Sequence, residues 1–230
     1  MQTKPFEYFK IARTIGVLLA IVAIVLSVRG TKNENNLPNG FVTPIVTLEF
    51  IQTTQEVQHF FEVKDVQKYE SDLLFGNNVD YIFMTVYSCL LFCIALGIKQ
   101  ITHSKSMYAV MFFCVVMLLC DALENHQIAQ IILYYRTASI DTFLSKLAVF
   151  TWLKWSAIAA SFLLFAPFFL KGNWFHKMIG ILGISSFILC IAAFFKHGIL
   201  NEIFAGNIVL VFLLLVIFVF TYKEDRIANV

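Results

Sequence analysis

Six stretches of about twenty or more predominantly apolar residues, at 11–29, 79–99, 106–135, 142–170, 174–195 and 199–222, leave lipid as the main solvent for this chain. Each can cross a hydrocarbon core of about 30 Å. A backbone in lipid must satisfy its own hydrogen bonds, and that requirement selects helices. Short connections between the later stretches predict antiparallel neighbours. The expected fold is an all-α, multi-pass membrane helix bundle forming one integral membrane domain over residues 1–230. Composition agrees, because a chain that is 59% hydrophobic and 14% charged cannot cover an ordinary soluble surface.

Lys4, Lys10 and Arg13 before the first apolar run give it the outline of a secretory signal. The run stays bulky to its end, however, and Ser27-Val28-Arg29 offers no small-x-small cleavage site, so a retained first span is expected. A polar, turn-rich loop follows from residue 30. Thr43-Pro44 then reads as an N-cap with proline at the first helical position. From 43 to 75, apolar residues such as Leu48, Phe60 and Phe61 alternate with Glu49, Glu56, Lys64 and Asp72. This is too charged to span and predicts an amphipathic element lying on or folded into the mouth of the bundle, where a protein partner could also dock.

Lys and Arg near the helix ends set the expected orientation. Lys4, Lys10, Arg13, Lys99, Lys105, Lys171, Lys177, Lys223 and Arg226 fall on one side; Arg29, Lys32, Lys64, Lys68, Arg136 and Lys196 fall on the other. Both termini are expected in the cytoplasm. Tyr134 and Tyr135 read as interfacial anchors at the outer end of the third span. Compact loops and the lack of sorting motifs point to a bacterial cytoplasmic membrane.

The third span runs from YAVMFFCVVMLLC straight into DALENHQ before returning to IAQIILYY. At 100° per residue, Asp121, Glu124 and Asn125 share one stripe, whereas His126 and Gln127 point elsewhere. An ionisable residue at this depth costs about 2.5–3.5 kcal/mol on insertion scales, so the stripe must face protein or water. Lys146 and Lys154 of the next span are the candidate counter-ions, with Lys146 expected at a height comparable to Asp121 and Lys154 deeper. Asp80, Glu202, Asn207 and Glu49 can reach the same level. The opposite halves of the spans are almost purely apolar, which argues against a pathway crossing the whole membrane.

Other chemistries find little support. A net charge of +2, from 17 basic and 15 acidic residues without a basic block, excludes a nucleic-acid surface. All five cysteines, Cys89, Cys93, Cys114, Cys120 and Cys190, lie in apolar stretches without zinc-site spacing and read as core residues. No His-x-x-x-His pair, Walker loop, GxSxG elbow or haem-attachment motif is present. Trp152 and Trp155 flank Lys154 and read as packing residues or as a platform for a flat ligand.

Four readings follow from the polar stripe. Asp121 and Glu124 could act as a general acid/base pair on a lipid or amphipathic small molecule, with Asn125 and Lys146 orienting its head group. Alternatively the pair could hold a divalent cation such as Mg²⁺ or Ca²⁺ for a phosphate-bearing lipid, with Glu49 and Asp80 as further oxygen ligands and Lys146 or Lys154 neutralising the anion. A scaffold or complex subunit would need the same residues only as an ion-pair network fixing helix register. Paired acids beside lysine are also used in proton- or cation-coupled transport.

Overall fold

A computed structural model describes residues 5–29, 37–38 and 40–222. These residues form eight helices: α1 Pro5–Arg29, α2 Pro44–Phe50, α3 Thr54–Phe60, α4 Val66–Thr102, α5 Ser106–Tyr134, α6 Asp141–Phe169, α7 Trp174–Phe195 and α8 Ile199–Thr221. No strand occurs among the described residues. Six of the helices, α1 and α4 to α8, are long and apolar enough to cross a membrane, and the protein is a multi-pass membrane protein. Most of the polar loop after Arg29 lies outside the described residues, as do Lys4, Lys32, Lys223 and Arg226.

The six long helices close into a ring. Neighbours in space run α1, α4, α5, α6, α7, α8 and back to α1. Its interior is apolar and rich in phenylalanine, with Phe162 of α6 and Tyr87 of α4 each set edge-on to Phe212 of α8. Arg13 helps to close the α1–α8 seam. Arg13 of α1 donates to the carbonyls of Val219 and Tyr222, at 2.6 and 2.9 Å, where the last turn of α8 has no further helical donors.

The segment between the first two spans differs from the single amphipathic element expected over 43–75. Thr43 does precede Pro44 at the start of α2, but its hydroxyl and N–H donate to the Glu202 carboxylate of α8 at 2.7 and 2.8 Å instead of capping α2. The chain then breaks at 51–53, and Thr53 with Glu56 forms a reciprocal capping box that starts α3. Asp65 caps a third helix through the Lys68 N–H. That helix has no proline to stop it, so it runs through residue 75 and becomes the second span; α4 is 37 residues long. At about 1.5 Å per residue it measures roughly 55 Å, well beyond the about 30 Å of a hydrocarbon core. The first turns of α4, with Lys68, Glu70 and Asp72, therefore extend past the apolar slab at the end where α2 and α3 lie.

Contacts of α2 with α5, α6 and α8 place it across one mouth of the ring. Apolar side chains of 48–73 form a second core with the ends of α5 and α6, including Leu48, Phe60, Ile131 and Leu147. Burying each such side chain contributes about 1.5–3 kcal/mol. The amphipathic face proposed for a partner is thus packed on the protein's own bundle: Phe60 and Phe61 are both buried, and Phe61 stacks on Tyr135 at 4.2 Å. An Arg136–Glu70 ion pair at 2.6 Å, shared with the Tyr135 hydroxyl, ties α4 to the end of α5 above it.

Ring closure depends on close helix approach at Gly183, where an added Cβ would stand 2.8 Å from the Phe162 carbonyl oxygen of α6. Nothing lies within 4 Å of a Cβ at Gly76 in α4. Thermal unfolding in detergent should therefore separate two chemically identical changes. Gly183→Ala is expected to destabilise by about 1–3 kcal/mol through overpacking, and Gly76→Ala to stabilise by roughly 0.5–1 kcal/mol through helix entropy.

Candidate functional site

The polar stripe of α5 faces inward. Asp121, Glu124 and Asn125 are all buried, and Glu124 is fully so. His126, next in sequence, is exposed, while Gln127 is buried and donates to its own helix at Leu123. One full turn of three or four residues thus delivers three polar groups to the ring interior just below α2.

Lys154 of α6 stands among them. Its Nζ is 2.7 Å from Glu124 Oε1, 3.2 Å from Glu49 Oε2 and 3.4 Å from Asp121 Oδ1. Antiparallel packing explains the match: Lys154 lies 13 residues from the start of α6 at Asp141, and Asp121 lies 13 residues from the end of α5 at Tyr134. Both therefore sit about 20 Å along their helices at about 1.5 Å per residue. Lys154 is level with the acids, not deeper as expected.

Asp121 and Glu49 each have a second partner that holds the carboxylate in place. Tyr87 of α4 donates to Asp121 Oδ2 at 2.5 Å. The Trp155 indole N–H donates to Glu49 Oε2 at 2.9 Å, and the Thr151 hydroxyl donates to the Glu49 backbone carbonyl at 3.1 Å. These bonds, together with Lys154, fix α2 on α6. Glu49 itself sits in α2, and its removal from water pushes its carboxyl above the ordinary range against the pull of Lys154 and Trp155. On the α4 side, Asn125 donates to Asp80 Oδ2 at 2.8 Å, and Asn77 donates to the Asn125 carbonyl at 3.0 Å. Glu124 Oε2 is buried without a hydrogen-bond partner among the described residues.

Asp121, Glu124, Asn125, Asp80, Glu49 and Lys154 are therefore brought together, and Lys146 is not. Eight residues before Lys154, it is rotated by about 80° at 100° per residue, enough to leave the buried stripe of α6 for an exposed position. Nor do Glu202 and Asn207 join the network. Glu202 holds Val42 and Thr43, and Asn207 donates to Ser186 of α7 at 2.7 Å and to the Leu182 carbonyl. Tyr87, Asn77 and Thr151 belong to the site but were missed in the sequence. Tyr87 had a signal, since it follows Asp80 by seven residues and shares its helix face.

The residues do not fit the divalent-cation site. Among the described residues no group of three or more His, Cys, Asp and Glu is arranged as metal ligands. The Lys154 ammonium occupies the place between the carboxylates that a metal ion would need. Cys89 also departs from expectation: it is exposed on α4, whereas Cys114, Cys120 and Cys190 are buried and Cys93 is half-buried. Trp152 packs edge-on to Phe50 and Phe194.

The chain matches no protein-family model, no curated protein and no solved structure. The geometry makes its own prediction about the two lysines. Lys154→Met leaves several buried carboxyl groups without a cation and should lower stability by about 3–5 kcal/mol, whereas Lys146→Met should stay within about 0.5 kcal/mol of the parent. Thermal unfolding of the three proteins in one detergent checks this, and equal losses for the two variants would contradict the assignment.

Proposed function

We propose that this protein binds or modifies a lipid or other amphipathic small molecule at the Lys154 site, with Asp121 and Glu124 as its central acid/base pair. One observation carries the reading. Three carboxyl groups, on Glu49, Asp121 and Glu124, lie within 3.4 Å of the Lys154 ammonium, and a fourth, on Asp80, joins them through Asn125. A structural ion pair needs one carboxylate, and each further acid buried at this depth has an insertion cost that an architectural role does not offset. Asp80 and Asn125 would orient the ligand from the α4 side, Glu49 would meet it from α2, and Lys154 would hold the carboxylates in register. Glu124 Oε2, unpartnered among the described residues, is the atom best placed to accept or donate a proton.

The Lys and Arg distribution supports a cytoplasmic location for both termini, which would put α2, α3 and the site in the outer half of a bacterial cytoplasmic membrane. Residues 1–230 would form one integral membrane domain. A ligand would then reach the site from the outer leaflet, beside or beneath α2. The rival reading is a non-enzymatic scaffold or complex subunit in which the network only fixes register. Burial of Phe60 and Phe61 within the bundle leaves 43–75 mostly its polar side for such a partner.

Untargeted lipid and metabolite profiling of a deletion strain separates the two. Complementation is done with the parent or with Asp121→Asn, Glu124→Gln at equal expression. The proposal expects a species that changes on deletion and returns only with the parent, while the double variant remains folded in detergent. No change in any fraction, or loss of folding together with function, would favour the scaffold.

A further inference from the structure

We propose that the head group taken by this site is a protonated amine attached to an apolar chain. This rests on the reading of the site as one for an amphipathic molecule and narrows it to a charge class. The site has more acceptors than donors. Lys154 already contacts three carboxylates, Tyr87 completes Asp121, and Trp155 completes Glu49. Among the described residues Asp80 accepts from the Asn125 amide alone, and Glu124, with no exposed surface, has no partner for Oε2. A buried acceptor without a donor is costly, and an N–H of an ammonium satisfies it with a charge-assisted bond. An anionic head group would instead add negative charge beside these carboxyl groups, with Lys154 already engaged.

The walls suit a cation as well. Lys154 Nζ lies 5.2 Å from the centre of the Trp155 ring, so the ring face already serves an ammonium. From Trp155 a run of aromatic contacts leads outward through Phe50 at 5.9 Å and Trp152 at 5.1 Å to Phe194 at 5.1 Å. Phe194 is exposed on α7 among the lipid-facing residues. An ammonium near Glu124 and an apolar chain along these rings fit the two halves of one amphipathic amine.

The test compares three probes of equal chain length, n-octylamine, octanoate and 1-octanol, on the purified full chain in neutral detergent at neutral pH. The amine is expected to raise the unfolding midpoint, by about 5 °C at a hundredfold excess over its dissociation constant. Octanoate and octanol should leave it unchanged. The rise should vanish in Glu124→Gln and persist in Glu62→Gln, whose residue is exposed beyond α3. Asp80→Asn serves in place of Glu124→Gln if that variant does not fold. Equal stabilisation by octanoate or octanol overturns the amine assignment and leaves the amphipathic-ligand reading standing. An amine effect that survives both site variants also overturns it. No stabilisation by any probe removes both.

Discussion

A single buried ammonium links α2, α5 and α6. Without the Lys154 contacts, Glu124 and Asp121 would be uncompensated charges in the middle of a helix ring, and Glu49 would have little reason to sit below the mouth. With them, the polar residues that lipid would reject become the feature that sets helix register. The ring order places α5 beside both α4 and α6, so the acids of α5 can face Tyr87 and Asp80 on one side and Lys154 on the other. Packing and electrostatics thus select the same arrangement.

The two ends of the ring are built differently. At the end carrying α2 and α3, a capping box, the Glu202 clasp on Thr43 and a second apolar core cover the mouth. Toward the opposite end the interior is aromatic and aliphatic, and Arg13 closes the last turn of α8. All of the cluster's ionisable groups lie on the α2 side or at mid-bundle. This asymmetry favours a site reached from one face over a passage through the membrane.

Span number and type were legible because apolar length in lipid has only one common solution; the fifth span, 174–195, agrees with α7 at both ends. The α4 start was not. Sequence hydropathy marks where lipid begins, whereas the Asp65 cap marks where the helix begins, and the two differ by about thirteen residues. The stripe of Asp121, Glu124 and Asn125 followed from helical periodicity alone. The choice between Lys146 and Lys154 depended on an 80° rotation and on relative helix height, and neither is fixed until α5 and α6 are packed. Thr151 is a hydroxyl in an apolar span with no charge to mark it, and Tyr87 is marked in the sequence by sharing the helix face of Asp80.

The site, with its surplus carboxyl groups under a short covering helix, depends on Lys154 being coupled to its nearest acid. The most direct measurement is a double-mutant cycle of Lys154→Met and Glu124→Gln, read by thermal unfolding in one detergent. The account predicts that the double variant is more stable than the sum of the single losses implies, with a coupling of at least about 1 kcal/mol. Strictly additive losses would mean that the 2.7 Å contact does not organise the bundle, and would contradict the account.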